Sequence, residues 1–273
     1  MPELPEVETV RRQLQSTLVG ARFMAVERIE ASMLRDCVVD EFVSKLRGQT
    51  VETVERLGKF LIARLSAGLY LTVHLGMTGQ LLVDPSEQSQ HARFVFRISR
   101  QNSGDRQLVF RDTRKFGKVH LTEGGPAPRV ARLGPDAWRG EWDSDYLREK
   151  LGSRRTPIKA FLLDQRQLAG IGNIYADEIL WWTGISPLRP SGSLGSGEVE
   201  GLAAEIRHRL GEGVRFLGCT FSDFVDTLGE QGGFQDWLRA YGKAGQQCDR
   251  CGATLERIVV VGRGTTYCAG CQK

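Results

Sequence analysis

Val7, Val10, Leu14 and Leu18 fall on one stripe of a helix behind a Pro5-Glu6 start, and Gly20 stands where that stripe ends. The pattern predicts an amphipathic helix at the N-terminus. From about residue 23 to residue 121 the period shortens to β-type runs, at 51–54, 60–65, 70–75, 93–98, 108–110 and 118–121. Ser66-Ala67-Gly68 and Asn102-Ser103-Gly104-Asp105 supply turns between them. Successive short strands with few helical patterns predict a β-rich domain built as a sandwich. Over 123–135 the composition shifts to Gly124-Gly125-Pro126-Ala127-Pro128 and Leu133-Gly134-Pro135, which reads as a linker.

Beyond the linker the pattern is helical. Asp143 or Ser144 caps a helix to Leu151, and Thr156-Pro157 opens another over 158–163. Ile174, Ile179 and Leu180 mark a helix over 173–182, and Ser196 caps a longer one over 197–216 with Leu202, Ile206, Leu210 and Val214 as its stripe. The fold class expected is therefore α+β and multidomain.

A chain of 273 residues with 41% hydrophobic content can bury one large core or two modest ones, and the length favours two domains. No apolar run approaches a membrane span and no secretory h-region follows the start, so a cytoplasmic protein is expected. The net charge of +4 is mild but uneven. Between His91 and His120 lie Arg93, Arg97, Arg100, Arg106, Arg111, Arg114, Lys115 and Lys118 against only Asp105 and Asp112. That excess points to a polyanionic partner, with a solvated sheet face as the plainer reading. His91, at the head of the stretch, joins the candidates for DNA binding.

The start, Met1-Pro2-Glu3-Leu4-Pro5-Glu6, carries the candidate chemistry. Removal of Met1 would leave Pro2 as a secondary amine titrating near neutrality, at about pKa 7.7–8.0, and so partly unprotonated and nucleophilic in the cell. Its condensation with a sugar aldehyde carbon gives an iminium, an electron sink for elimination, with Glu3 and Glu6 at hand for proton transfer. The same residues also make an ordinary helix start, with proline near the first turn and acids beside the positive end of the helix dipole.

Cys248-x2-Cys251, sixteen residues, then Cys268-x2-Cys271 has the spacing of a zinc ribbon: four thiolates close a tetrahedron and leave no position for water. One structural Zn²⁺ is expected, an iron–sulfur cluster being the other four-cysteine possibility. Between the pairs, Arg263 stands in Gly262-Arg263-Gly264, either approaching a phosphate or solvated at a hairpin tip. Gly170-Ile171-Gly172-Asn173 opens a helix whose N–H groups suit an anion, or Asn173 is a plain cap in a tight turn.

Six motifs in order resemble the formamidopyrimidine-DNA glycosylase family across the whole chain. They are Met1-Pro2-Glu3-Leu4-Pro5-Glu6-Val7-Glu8-Thr9, Gly58-Lys59-Phe60, His74-Leu75-Gly76-Met77-Thr78-Gly79, Asp112-Thr113-Arg114-Lys115-Phe116-Gly117, Gly170-Ile171-Gly172-Asn173-Ile174-Tyr175 and the four-cysteine tail. The resemblance implies an N-terminal β-sandwich domain with the catalytic helix over 1–124, a linker over 125–136, a helix-two-turn-helix domain over 137–241 and a zinc finger over 242–273. It implies a monomeric bacterial enzyme of the nucleoid that removes oxidised purines from double-stranded DNA, cutting the strand at the resulting abasic site by β- and δ-elimination.

By that resemblance Pro2 attacks C1′ and forms a Schiff base, Glu3 transfers protons, Glu6 orients water or the sugar, and Lys59 assists proton transfer. Met77, Arg114 and Phe116 fill the hole left by a base drawn out of the stack. Lys59, Asn173, Tyr241 and Arg263 look like phosphate-binding positions, and Lys159 aligns with a lysine near the lesion. The loop over 216–224 aligns with the one that closes over the flipped purine, but Gly218-Cys219-Thr220-Phe221 departs from the family's usual Gly-Gly-Thr-Thr. The endonuclease VIII-like branch, which favours oxidised pyrimidines, usually begins Pro-Glu-Gly-Pro-Glu; Leu4 favours the purine branch.

Overall fold

The computed structural model describes residues 1–86, 90–101 and 104–273. Asn102 and Ser103 of the predicted turn lie outside the described residues. The chain forms two compact units, Met1–Arg132 with Phe216–Gln235, and Leu133–Arg215 with Asp236–Lys273.

In the first unit the order is α1 (Leu4–Leu18), β1 (Arg22–Ile29), β2 (Leu34–Arg35), α2 (Val39–Leu46), β3 (Val51–Leu57), β4 (Phe60–Leu65), β5 (Leu69–His74), β6 (Gln80–Val83), β7 (Ala92–Arg100), β8 (Gly104–Arg111) and β9 (Lys118–Glu123). One sheet runs β1-β7-β8-β6 and the other β2-β9-β5-β4-β3. Alternation decides the faces: along β7, Phe94, Phe96 and Ile98 are buried while Arg97 points outward. Phe94 and Phe96 share one core with Phe110 of β8, Leu61 and Leu65 of β4 and Leu71 of β5, and the α1 stripe Val7, Val10, Leu14 and Leu18 packs into it.

The hydrophobic pattern misses α2, β2 and β6 and marks β1 poorly. α2 has eight residues and buries only Phe42 and Leu46, too short a stripe to register as periodic. β1 alternates poorly because its register with β7 shifts twice, between Phe23 and Ala25 and again between Val26 and Arg28.

The second unit holds α3 (Ser144–Leu151), α4 (Ile158–Leu163), α5 (Asn173–Thr183), α6 (Ser196–Arg215), β10 (Glu256–Val260) and β11 (Arg263–Tyr267). Asp143 caps α3 through the Tyr146 N–H, at 2.9 Å. α5 is buried from Ile174 through Trp181, including Asp177 and Glu178, so it is the helix the rest of the unit packs around. Gly184 closes it in the left-handed conformation, at φ 71°. Val260 pairs with Arg263 across a two-residue turn in which Val261 and Gly262 both have positive φ, so Arg263 stands on the first position of a strand rather than at the tip.

Phe216–Gln235, read from sequence as part of the second domain, clusters with the first unit. Phe224 enters the sandwich core, and the Gln13 side chain of α1 bonds both Asp226 and Thr227. Among the described residues no helix is long and apolar enough to cross a membrane.

Candidate active site

Glu3 is the N-cap of α1, and it forms a reciprocal capping box with Glu6. The Glu3 N–H donates to Glu6 Oε2 at 2.7 Å, and both carboxylates are buried, 2% and 1% exposed. The other Glu6 oxygen accepts the backbone N–H of Cys219 at 2.7 Å. Glu6 therefore joins the N-terminal turn to the loop at 216–224. Gly218 sits there with φ +84°, and a Cβ on it would lie 2.7 Å from Glu6 Oε1, so neither backbone nor space admits a side chain. Cys219 itself is a small buried thiol, 4% exposed.

Lys59 lies in the turn between β3 and β4 and is mostly buried. Its hairpin is registered on α1 by Glu8. That carboxylate, 2% exposed, accepts from Arg11, Arg12 and Arg56, and Arg56 Nη1 donates onward to the Gly58 carbonyl at 2.9 Å. Burial alone would raise the Glu8 pKa, but its hydrogen bonds to Arg11 and Arg56 hold it below the usual carboxylate range.

Met77, Arg114 and Phe116 come together from two loops. Arg114 Nη1 lies 3.8 Å from Met77 Sδ, and the guanidinium carbon lies 4.6 Å from the Phe116 ring centre. Met77 is 37% and Phe116 47% exposed, so core packing does not account for them. The loops beneath are stiff. Asp112, fully buried, accepts the Thr78 hydroxyl and the Arg114 N–H on one oxygen and the Gly117 N–H, at 2.8 Å, on the other. Gly76 has φ +72°, and a Cβ there would lie 2.5 Å from Gly117 N. The Gly76 N–H donates to His74 Nδ1 at 3.1 Å. Burial, and after it the opposing charge of Lys59, pushes the His74 pKa down to about 4, which keeps that nitrogen an acceptor.

His91 flanks the same loop: its carbonyl accepts the Asp112 N–H at 3.0 Å, and Arg93 bridges its Nδ1 to the Asp112 carbonyl. Part of the basic stretch is taken up by ion pairs within the protein. Arg97 lies beside Glu27, Arg106 beside Asp84 and Lys115 beside Glu30, so the charge count overstates what the stretch offers a polyanion.

In the second unit the placement of Lys159 is the main correction. It is fully buried rather than presented to DNA, with Nζ 2.5 Å from Asp177 Oδ1 and 2.7 Å from Thr265 Oγ1. A lysine cation is buried only when paired, and Asp177 supplies the partner. Burial nevertheless raises the Asp177 pKa to about 6. Gly172, not Asn173, is the N-cap of α5, which leaves the Asn173 carboxamide to donate to the Gly264 carbonyl at 2.8 Å. Tyr241 is placed by Glu178, whose buried carboxylate accepts the backbone N–H groups of Arg239, Ala240 and Tyr241 at 2.8–2.9 Å. Burial pushes the Glu178 pKa up.

The Sγ atoms of Cys248, Cys251, Cys268 and Cys271 lie within 4.8 Å of one another, with Cys248 to Cys271 at 4.0 Å and Cys251 to Cys268 at 3.5 Å. A tetrahedron with Zn–S near 2.3 Å needs S···S of roughly 3.8 Å, so the cluster fits zinc. The four cysteines hold one structural zinc ion, and Trp181 packs against Cys248 and Cys268.

Asp177 and Glu178 have no sequence signature of their own, and Glu8 and Asp112 stand inside motifs with no role assigned to them there. Asp112 and Asp177 show only as acids inside or one turn beyond motifs that were conspicuous for other reasons.

Residues 1–119 match the formamidopyrimidine-DNA glycosylase N-terminal domain, 133–225 its H2TH domain, and 245–273 the zinc finger found in FPG and IleRS. The formamidopyrimidine-DNA glycosylase of Lactiplantibacillus plantarum is 40% identical over 98% of each chain. A mutant FPG of Lactococcus lactis, solved with Fapy-dG-containing DNA, superposes with TM-score 0.90 at 32% identity over 100% of both chains. The wild-type enzyme of that organism, solved with DNA containing an oxidised pyrimidine, does so with TM-score 0.89 at 33% identity, again over 100% of both.

Proposed function

Because the chain belongs to the formamidopyrimidine-DNA glycosylase family, we propose that the secondary amine of Pro2 carries out base excision on DNA that the rest of the chain distorts and grips. The protein is a DNA glycosylase of base excision repair with lyase activity at abasic sites, acting on double-stranded DNA that contains oxidised purines. As a bacterial repair enzyme it works as a monomer on the chromosome in the cytoplasm.

The Pro2 nitrogen, a free secondary amine once Met1 is removed, attacks C1′ as the N-glycosidic bond breaks, and the base leaves with a proton. Opening of the sugar ring gives the iminium. Glu3 moves protons at the sugar, aided by Lys59, as the 3′ and then the 5′ phosphate is eliminated. Glu6 holds the N-terminal turn and the 216–224 loop in one arrangement while it orients water or the sugar. His91, Asn173, Tyr241 and Arg263 bind the DNA backbone. Lys159 acts from inside the fold, and the zinc ion maintains the finger and takes no chemical part.

The observation that carries this reading is the exposed cluster of Met77, Arg114 and Phe116 on stiff glycine loops. A thioether, a phenyl ring and a guanidinium held in solvent suit the gap left in a duplex by an extruded base, with Arg114 donating to the orphaned partner.

Borohydride trapping on a duplex containing 8-oxoguanine tests the chemistry. A covalent adduct that disappears when the N-terminal amine is blocked is expected; failure to trap any adduct would leave a DNA-binding protein without catalysis. A duplex with thymine glycol tests the lesion class, since faster excision of the pyrimidine would overturn the assignment to oxidised purines.

A further inference from the structure

Three consecutive residues of β11 are gripped from the helices beneath. Lys159 of α4 donates to the Gly264 carbonyl at 3.4 Å and to Thr265 Oγ1 at 2.7 Å. Asp177 of α5 binds Lys159 through Oδ1 and accepts the Thr266 N–H through Oδ2 at 3.0 Å. Asn173, one turn before Asp177, donates to the same Gly264 carbonyl at 2.8 Å. Lys159, Asp177 and Thr265 are 0%, 2% and 1% exposed. Arg263 immediately precedes the gripped residues, with its strand position exposed.

A two-stranded hairpin is marginal in water on its own. β10 and β11 form such a hairpin, and the zinc cysteines anchor its far end at Cys268 while its other end bears exposed Val259 in β10 and Val261 in the turn beside Arg263. Near Arg263, what ties the strand to α5 is the buried ammonium, the carboxylate and the carboxamide. Burying an ion pair gives little net stability against well-packed apolar side chains, and its best attested return is a defined geometry. The three N–H directions of a lysine ammonium suit that task, and here they meet a carboxylate, a hydroxyl and a carbonyl.

We propose that Lys159 and Asp177 are positioning residues for nucleic-acid binding: they clamp residues 264–266 onto α5 and thereby set Arg263 beside Asn173 as one phosphate-binding unit. This rests on the reading of Arg263 and Asn173 as phosphate ligands. Lys159 is thus a contributor to DNA affinity that acts through the strand rather than by touching DNA.

The test uses the full-length, zinc-loaded protein and a duplex carrying a reduced abasic site, with affinity measured across a salt series. Removing one phosphate contact lowers the slope of log K against log salt by about 0.9, and Arg263→Ala is expected to show that loss. Thr265→Val keeps the ion pair but removes its hydroxyl link to β11, leaving the bonds to the Gly264 carbonyl and from the Thr266 N–H. It is expected to weaken binding about three- to tenfold with part of the same slope loss. Combined with Arg263→Ala, it should cost no more than about a further twofold, because the two act through one contact.

Lys159→Met with Asp177→Asn removes both charges and should reproduce the slope loss with zinc content unchanged; should that pair not fold, Thr265→Val decides. A wild-type slope in Thr265→Val, or full additivity with Arg263→Ala, overturns the positioning role. A wild-type slope in Arg263→Ala overturns the phosphate reading itself, and with it the clamp.

Discussion

The backbone N–H of Cys219 donates to Glu6 Oε1 at 2.7 Å, while the other oxygen of the same carboxylate accepts the N–H of Glu3. Two residues 213 positions apart in the chain are thus fastened by one carboxylate that also completes the capping box of α1. An amide at position 6 offers one acceptor where two are required.

Glu6→Gln is therefore expected to leave either the Glu3 or the Cys219 N–H facing an NH₂ group, at a cost of about 1–3 kcal/mol for the buried donor. Thermal unfolding should show that loss, and base excision should fall further than strand cleavage at a preformed abasic site. Gly218→Ala should move the same two rates in the same direction, because its Cβ would collide with the Glu6 carboxylate. Equal effects on both rates would argue against a loop-holding role for Glu6.

Asp112 is the common anchor of the loops bearing Met77, Arg114 and Phe116. Asp112→Asn should lose the Gly117 N–H acceptor, again at about 1–3 kcal/mol, and let the two loops separate. The expected signature is weaker binding to lesion duplex, approaching that of Phe116→Ala, with little change on undamaged DNA. Fluorescence anisotropy on the two duplexes measures it.

His74 accepts the Gly76 N–H and has its pKa pushed down to about 4 from an ordinary 6.5. Between those two values the unfolded chain takes up a proton that the folded chain does not. Stability is accordingly full above pH 6.5 and declines as the pH falls toward 4, by up to about 3 kcal/mol over the window. Urea midpoints at pH 7.5 and pH 5 should differ in wild type and differ less in His74→Gln. An imidazole seen by NMR to titrate near 6.5 would contradict the assignment.

Zinc removal should act on grip more than on chemistry. The four thiolates close the finger whose hairpin carries Arg263, and structural zinc is worth about 10–16 kcal/mol to small finger peptides. Chelation is expected to lower DNA affinity by at least tenfold while borohydride trapping at saturating enzyme continues. Undiminished affinity in the zinc-free protein would separate the finger from DNA binding.

Much of this was legible without coordinates because it is local. Helical stripes such as Val7, Val10, Leu14 and Leu18, and the alternation of Phe94, Phe96 and Ile98, are periodic in the chain itself. The two Cys-x2-Cys pairs state a ligand count and a spacing, and the resemblance of six ordered motifs names a family. The positive stretch from Arg93 to Lys118 pointed to a polyanionic partner, but a charge count does not show that Glu27, Asp84 and Glu30, from elsewhere in the chain, pair with three of its residues.

Lys159 shows the boundary most plainly. Its sequence, a lysine beside a helix start, is equally that of a DNA contact and of a buried cation, and only the arrival of Asp177 and Thr265 around it separates the two. The same holds for Phe216–Gln235, whose chain position suggests one unit and whose packing puts it in the other. The sequence by itself determined most of the helices and strands, the metal ligands and the residue types at the N-terminus, since these depend on neighbours a few positions apart. Tertiary structure alone decided which carboxylate anchors which loop, which lysine is buried and which apolar side chains stay in solvent, because burial and pairing depend on residues tens to hundreds of positions away.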